Sequence, residues 1–338
     1  MEQKKRCHKC GILKSITCFN KDVSRRDGYE DRCKDCKAVW RQQNKHKNTM
    51  YCKTYRDKNR ERNRDHTEDY IHFLQDKGFF ITKKAEKRDY RFKPDITPYK
   101  GNKYRIGFIA DTQIGSRYQQ LTHLHTFYKI CQEQGICDIF HCGDIVDGQH
   151  MYNGQEYELF LHGCDAQTEY CINQYPEYKD ITTYFICGNH DESHYKLAQY
   201  DIGKHLSNQR KDMRNLGFYG AFIDFADTKN LIYLHHGTGG VAYARSYKIQ
   251  KIIEQLAPDQ KPFMLFEGHY HVSCHIPEYR NVFAWQMPCF QSQTPYLKAK
   301  GLYPEIAGLI IEFMLNEGKP VEYHSMVIPF HIPKTEDF

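Results

Sequence analysis

Between Tyr104 and His271 the chain repeats one texture: a short apolar segment running into Asp, Asn or His, usually with glycine close by. The segments "YRIGFIAD", "CDIFHCGD", "TTYFICGN", "NLIYLHH" and "PFMLFEGH" all read this way, and "FYGAFIDF" lies among them. Short apolar runs closed by polar residues and glycine are strands buried on both faces that end in loops. Helical stretches near 119–134, 156–175, 195–209 and 241–257 separate them, and strands near 281–287, 307–315 and 321–328 follow. Strands alternating with helices, then strands alone, make an α/β domain built on sheets. In such sheets chemistry gathers beyond the carboxyl ends of the strands, where the polar residues collect here.

Those ends supply Asp111-x-Gln113, Gly143-Asp144-x-x-Asp147, Gly188-Asn189-His190-Asp191, His235-His236-Gly237 and Gly268-His269-x-His271. Residues two apart on extended backbone point the same way, so Asp111 with Gln113, and His269 with His271, each approach a metal cluster from one side. A carboxylate such as Asp144 is suited to bridge two cations about 3.5–4 Å apart, the spacing that clamps both oxygens of an in-line phosphoryl displacement. Mixed imidazole, carboxylate and amide donors suit Mn first, with Fe or Zn as alternatives, over Mg or Ca.

Each of these pieces is common alone; all five in order are not. The series resembles the calcineurin-like metallophosphoesterase superfamily, whose pattern is DxH, GDxxD, GNHD or GNHE, a lone His and GHxH, and the resemblance covers about residues 104–330. It implies a four-layer α/β/β/α sandwich of two mixed sheets and two divalent metals that make a water nucleophilic near neutral pH. Carried over by position, Asp111, Gln113, Asp144 and His271 surround one metal. Asp144, Asn189, His269 and either His235 or His236 surround the other. His236 is favoured, since it directly precedes Gly237 as in the family, but the doublet leaves both open. His190 stabilises or protonates the leaving oxygen, Asp191 orients that imidazole, and Asp147 supports its loop. The departure is Gln113, a neutral amide where the family has histidine. It is a weak ligand, or it leaves a position to water, or the site is inactive. A multi-ligand site is lost as a unit, so retention of Asp144, Asn189, His190, Asp191, His269 and His271 argues for activity.

Ahead of this domain, Cys7-x-x-Cys10 and Cys33-x-x-Cys36 stand with 22 residues between the pairs. Two such pairs in polar sequence read as one tetrahedral structural zinc site. The surrounding "CHKCGILKSITCFNKDVSRRDGYEDRCKDCKAVWRQQN" resembles the zinc-binding half of endonuclease VII-type and related HNH phage proteins, without clear HNH catalytic histidines. That resemblance implies a small zinc-ribbon or treble-clef-like module that binds nucleic acid. Residues 37–65 lack Gly and Pro and read as a basic helix. There Arg41, Lys45, Lys53, Arg56, Arg60 and Arg64 would meet phosphates.

Charge supports that division. Residues 1–100 carry 28 Lys and Arg against 15 Asp and Glu, a balance of +13, whereas the remainder carries 20 against 27, a balance of −7. A basic arm on a mildly acidic body suits a polyanion-binding module joined to a separate domain. The expected organisation is a zinc module with basic helix over 1–65, a linker over 66–103 and the metallophosphoesterase domain over 104–338. No apolar run approaches the ~20 residues that span a bilayer, so no membrane partner is expected. The 14 cysteines without a secretion signal indicate the cytoplasm, a host's if the chain is phage-encoded. The function expected is metal-dependent hydrolysis of nucleic acid, DNA first. The rivals are a protein or small-nucleotide phosphatase or phosphodiesterase, and a non-catalytic nucleic-acid-binding pseudo-enzyme. Oligomeric state is left open.

Overall fold

The computed structural model describes residues 3–42 and 90–338. The chain divides into two compact units, Met1–Glu86 and Lys87–Phe338. In the first, β1 (Lys4–Arg6) pairs antiparallel with β2 (Leu13–Ser15), and β3 (Phe19–Lys21) with β4 (Tyr29–Cys33). Helix α1 follows β4 at once and covers residues 34–42. The β1–β2 turn is a knuckle in which the Cys7 N–H donates to the Ile12 carbonyl and the Gly11 N–H to the Cys7 carbonyl. Among the described residues of this unit, Cys7, Phe19 and Cys33 alone are buried hydrophobics, with Cys18, Tyr29 and Cys36 packed against them. So small a core cannot hold a module of this length by apolar burial alone. Of the expected basic helix, residues 43–65 lie outside the described residues, and with them Lys45, Lys53, Arg56, Arg60 and Arg64.

The second unit holds two six-stranded mixed sheets. One has the order β16 (Lys319–Pro329), β15 (Ala307–Asn316), β6 (Lys103–Ile109), β7 (Asp138–His141), β8 (Thr182–Cys187) and β9 (Met213–Phe218). The other runs β13 (Cys274–Tyr279), β14 (Val282–Gln286), β12 (Met264–Gly268), β11 (Ile232–His236), β10 (Gly220–Ile223) and β5 (Tyr90–Phe92). Strands β6 to β9 are parallel, as are β11, β12 and β14, so their carboxyl ends fall on one edge of each sheet.

Strand periodicity then assigns the layers. Along β15, Leu309, Ile311 and Phe313 enter the core between the sheets, while Ile310 joins the cluster beneath α2 (Leu121–Glu133). Along β12, Met264 and Phe266 face the inter-sheet core and Leu265 packs with Ile249 and Ile253 of α6 (Tyr247–Gln255). The result is the expected α/β/β/α sandwich. Phe108 of one sheet stacks on Phe266 of the other at 3.7 Å between centroids, and Phe266 on Trp285 at 4.9 Å. Helix α2 lies so close that a Cβ on Gly308 would sit 2.3 Å from the Phe127 ring, which only glycine tolerates. Among the described residues, no helix is long and apolar enough to cross a membrane.

Several segments differ from the sequence reading. Residues 90–103, expected in the linker, belong to the second unit: β5 pairs with β10, and Ile96 is buried in the inter-sheet core. A turn at Gly101–Asn102, with Gly101 at φ +60, leads into β6. The rest of the expected linker, 66–89, lies outside the described residues. The segment "FYGAFIDF" is not one strand. Tyr219, at φ +64, breaks it between β9 in one sheet and β10 in the other. The helix expected over 195–209 is two, α4 (Asn189–Ala198) and α5 (Ile202–Gln209), and α4 begins inside the GNHD motif.

Asp138, at the start of β7, is buried, and its carboxyl is pushed up to about 7 by that burial and by the charge of Asp95, against a hydrogen bond from the Thr97 backbone. An unfolded Asp titrates near ~3.9, so the unfolded chain gives up this proton first and stability falls as pH rises from about 4 to 7. Asp138→Asn removes the penalty. Urea midpoints should show the variant more stable by about 4 kcal/mol at pH 8 and little changed at pH 4.

Candidate metal centre and its cleft

The carboxyl ends of strands from both sheets converge on one edge. Asp111 follows β6, Asp144 and Asp147 follow β7, Asn189 and His190 open α4 after β8, His236 ends β11, and His269 and His271 follow β12. Asp111, Gln113, Asp144, Asp147 and His236 are all buried. The i, i+2 pairs do not lie on extended backbone as expected. Asp111, Gln113, Asp144, His269 and His271 have φ of +51, +49, +58, +93 and +56. Left-handed backbone costs a side-chain-bearing residue about 1 kcal/mol or more, so the surroundings must impose it on all five.

Asp191 does much of that imposing. Its carboxylate accepts the backbone N–H groups of Gly188 (2.8 Å), Asp144 (2.9 Å), Ile145 (3.2 Å) and Val146 (3.0 Å). As the third residue of α4 it closes the helix start back onto Gly188, and it locks the GDxxD loop in the same stroke. The role assigned to it from sequence, orienting His190, falls to Asp147. The His190 Nδ1–H donates to the Asp147 carbonyl at 2.6 Å and lies 3.2 Å from its Oδ1. Asp191 is spoken for by four amides and has no lone pair aimed at the imidazole. Gly188 is obligatory, since a Cβ there would stand 2.1 Å from Asp144 Oδ1.

Asp144 is the meeting point. Its Oδ1 accepts the His190 backbone N–H at 2.9 Å, and its Oδ2 lies 3.2 Å from His236 Nε2 and 3.3 Å from Gln113 Nε2. His236 also has Nε2 3.0 Å from Asn189 Oδ1, while its Nδ1–H donates to the Cys142 carbonyl. That second bond turns Nε2 toward the site, as a ligand requires. His269 is held likewise: its Nε2 meets the Gly239 carbonyl at 2.8 Å, which leaves Nδ1 free. Donor atoms of Asp144, His236 and His269 lie within 4.8 Å of one another, near enough to hold one ion. The Asp111 carboxylate accepts the His269 backbone N–H at 2.9 Å and faces His271 Nε2 at 3.3 Å.

Of the histidine doublet, His236 enters the site. His235 points to the opposite face of β11, with Nδ1 3.2 Å from Glu267 Oε1, because adjacent residues of a strand face opposite ways. Gln113 belongs to the site as well. Its Nε2 donates to Asp144, and its buried Oε1 has no hydrogen-bond partner among the described residues. A buried carbonyl oxygen without a donor is costly and fits a cation.

Charge follows the same geometry. Burial opposes ionisation of Asp144, but His236 and His190 outweigh it and hold the carboxyl well below the usual range. His236 and His190 are in turn raised to about 9, against burial, chiefly by Asp144. His269 is lowered to about 4 by burial and then by His236. The proton shared by Asp144 and His236 stands where a divalent cation would displace it.

The centre opens into a cleft of about 330 Å³. Its lining also includes Met151, Tyr152, Tyr296, Leu302 and Tyr303, none of which sequence spacing singled out. They come from segments some 145 residues apart, each without a motif of its own.

In the first unit the four Sγ atoms of Cys7, Cys10, Cys33 and Cys36 lie within 4.8 Å of one another. Cys7 and Cys10 come from the knuckle, Cys33 from the end of β4 and Cys36 from the first turn of α1. The Cys33 N–H donates to Cys7 Sγ at 3.2 Å and, against burial, draws that thiol down to about 6. Cys36 is pushed up to about 12, first by the Cys33 sulfur. The donor set fits tetrahedral zinc. Of the residues assigned to nucleic acid, Arg41 alone is among the described residues, and it is exposed.

The calcineurin-like phosphoesterase family matches residues 104–293. The DNA polymerase II small subunit of Methanothermobacter thermautotrophicus is 26% identical over 245 residues, 60% of this chain and 50% of that protein. Its counterpart from Archaeoglobus fulgidus is 26% identical over 257 residues, 62% and 52%. The chain thus spans about half the length of these curated relatives. Among solved structures, Pseudomonas putida nuclease MPE superposes with a TM-score of 0.31 at 14% identity, over 56% of this chain and 76% of that one. A hypothetical protein from Thermus thermophilus does so with 0.33 at 10%, over 67% and 99%.

Two outcomes follow from these sites. Gln113→His should tighten one site metal or shift its preference toward zinc, read as metal retained after dialysis; unchanged content would mean that Oε1 meets no ion. Cys33→Ser should release one zinc per chain and expose residues 3–42 to amide exchange, since sulfur ligation replaces the missing core there.

Proposed function

The chain belongs to the calcineurin-like phosphoesterase family, and from that premise we propose that it is a metal-dependent phosphodiesterase acting on nucleic acid, DNA first. The observation that carries the reading is the cluster of Asp144, His236 and His269, whose donor atoms lie within 4.8 Å of one another; the reading gives Asn189 to the same ion and assigns Asp111, Gln113 and His271, with Asp144 shared, to a second. Members of the family use divalent metals, which when bound there would polarise a phosphoryl group and make a water nucleophilic, Mn being the ion best matched to this mixed set. The chain's own residues supply the rest. The backbone carbonyls of Cys142, after β7, and Gly239, after β11, fix the His236 and His269 imidazoles, so these donors need no rearrangement on binding. His190, held through Nδ1 by Asp147, lines the cleft and gives a proton to the leaving oxygen. The Cys₄ module carries a zinc ion and, with the basic stretch beyond it, grips phosphates. The names of the archaeal relatives favour DNA as the polymer.

A second reading is favoured by Gln113. With an amide where the family has imidazole, a chain holding a single cation would bind nucleic acid without cutting it.

The test is a cleavage panel of labelled single- and double-stranded DNA and RNA with Mn, alongside elemental analysis. Cleavage is expected, with Asn189→Ala and His190→Ala each lowering kcat by ~10²–10⁴-fold. No cleavage of any polymer with fewer than two site metals would replace the proposal by the second reading. Turnover of small nucleotides or phosphoproteins alone would overturn the choice of nucleic acid.

A further inference from the structure

We infer that the aromatic wall of the cleft is a stacking subsite for the nucleobase beside the phosphate being cut, and that the substrate is therefore single-stranded or frayed at that point. This rests on the nucleic-acid reading above. Tyr152 and Tyr296 stack with ring centroids 3.9 Å apart and planes 16° from parallel. Their arrangement is built by Glu158, only 5% exposed, whose Oε2 accepts the Tyr152 hydroxyl at 2.7 Å and whose Oε1 accepts the Tyr296 backbone N–H at 2.8 Å. Burying a carboxylate is costly unless it is fully engaged, and neither metal binding nor the fold of the sheets requires this one. Its effect is to fix two rings in the lining of the cleft that the metal donors also line.

Tyr303 lines the same cleft and is 65% exposed, a large aromatic ring left in water at the mouth of the site. The Lys300 ammonium stands 5.6 Å from the Tyr296 centroid, a cation beside the stacked pair. A site for inorganic phosphate or a phosphorylated side chain has no use for such a wall. The ligand that fits carries a phosphate at one end and a flat, apolar ring at the other. A cleft of about 330 Å³ is at the small end for a ligand pocket and has room for one nucleotide and not for a duplex. A base paired and stacked inside a duplex cannot reach the tyrosines, so the nucleotide must arrive unpaired. Base–aromatic stacking tolerates every base, which gives strand selectivity without sequence selectivity.

The experiment uses the full chain with Mn and thymidine oligonucleotides in which one abasic site is moved past the cut. An abasic residue beside the cut should lower kcat/KM by about tenfold, and that penalty should shrink below about twofold in Tyr303→Ala and return in Tyr303→Trp. Equal cutting of intact and abasic strands by the unaltered protein would overturn the subsite. If no oligonucleotide is cut, the nuclease reading fails, and stacking is read separately with 2-aminopurine placed along the strand. Quenching by the unaltered protein that disappears in Tyr303→Ala upholds the subsite; no quenching overturns it. Tyr303 is exposed, so its replacement leaves the fold intact, and unchanged circular dichroism in Tyr303→Trp checks this.

Discussion

The carboxylate of Asp191 holds the metal centre in shape. Four backbone amides from two loops point at it, and hydrogen bonds to a charged group are worth ~1.5–3 kcal/mol each. Without them the GDxxD loop has no reason to keep Asp144 at positive φ, and α4 loses the contact that begins it at Asn189. Asp144 in turn sets His236, Gln113 and the His190 backbone, so the order of dependence runs outward from one buried side chain. Burial and Asp144 hold the Asp191 carboxyl up at about 7 against the downward pull of the amides. The same balance keeps the loops in register with each other.

Such a hub works only in a rigid frame. Two sheets stacked through Phe108, Phe266 and Trp285 place the ends of β6, β7 and β8 opposite those of β11 and β12. Close packing makes that frame resist small shifts. Five donor-bearing residues can then stay in the left-handed region, where an isolated loop would relax. The strain sits in the loops, and the packing that sustains it lies between the sheets.

The first unit answers a different constraint. Among its described residues only three side chains are buried, too few for two short hairpins and a helix start, and four convergent sulfurs stand where a metal ion would tie them together. The two units thus use cysteine and histidine in different settings. The sulfurs gather where the apolar core is small, whereas the larger unit presents its imidazoles from an extensive one.

Much of this was legible from residue types alone. Apolar runs ending in Asp, Asn or His mark buried strands whose ends carry chemistry, because a polar group at such a place needs a partner, and the CxxC pairs mark a zinc module for want of any core. The sandwich and the family followed from the order of the motifs. What was not legible depends on contacts between distant segments. Choosing His236 over His235 required knowing which face of β11 meets the other sheet. Asp147 and Asp191 exchange their expected roles because α4 starts at Asn189 and turns Asp191 under the loop, a matter of helix geometry and not of spacing. The pairs Asp111 with Gln113 and His269 with His271 lie on left-handed backbone and not on the extended backbone that their spacing suggested. Tyr152, Tyr296 and Tyr303 left no trace in the sequence, since aromatic residues far apart along a tyrosine-rich chain become a wall only when Glu158 and the packing of the loops bring them to one side of a cleft.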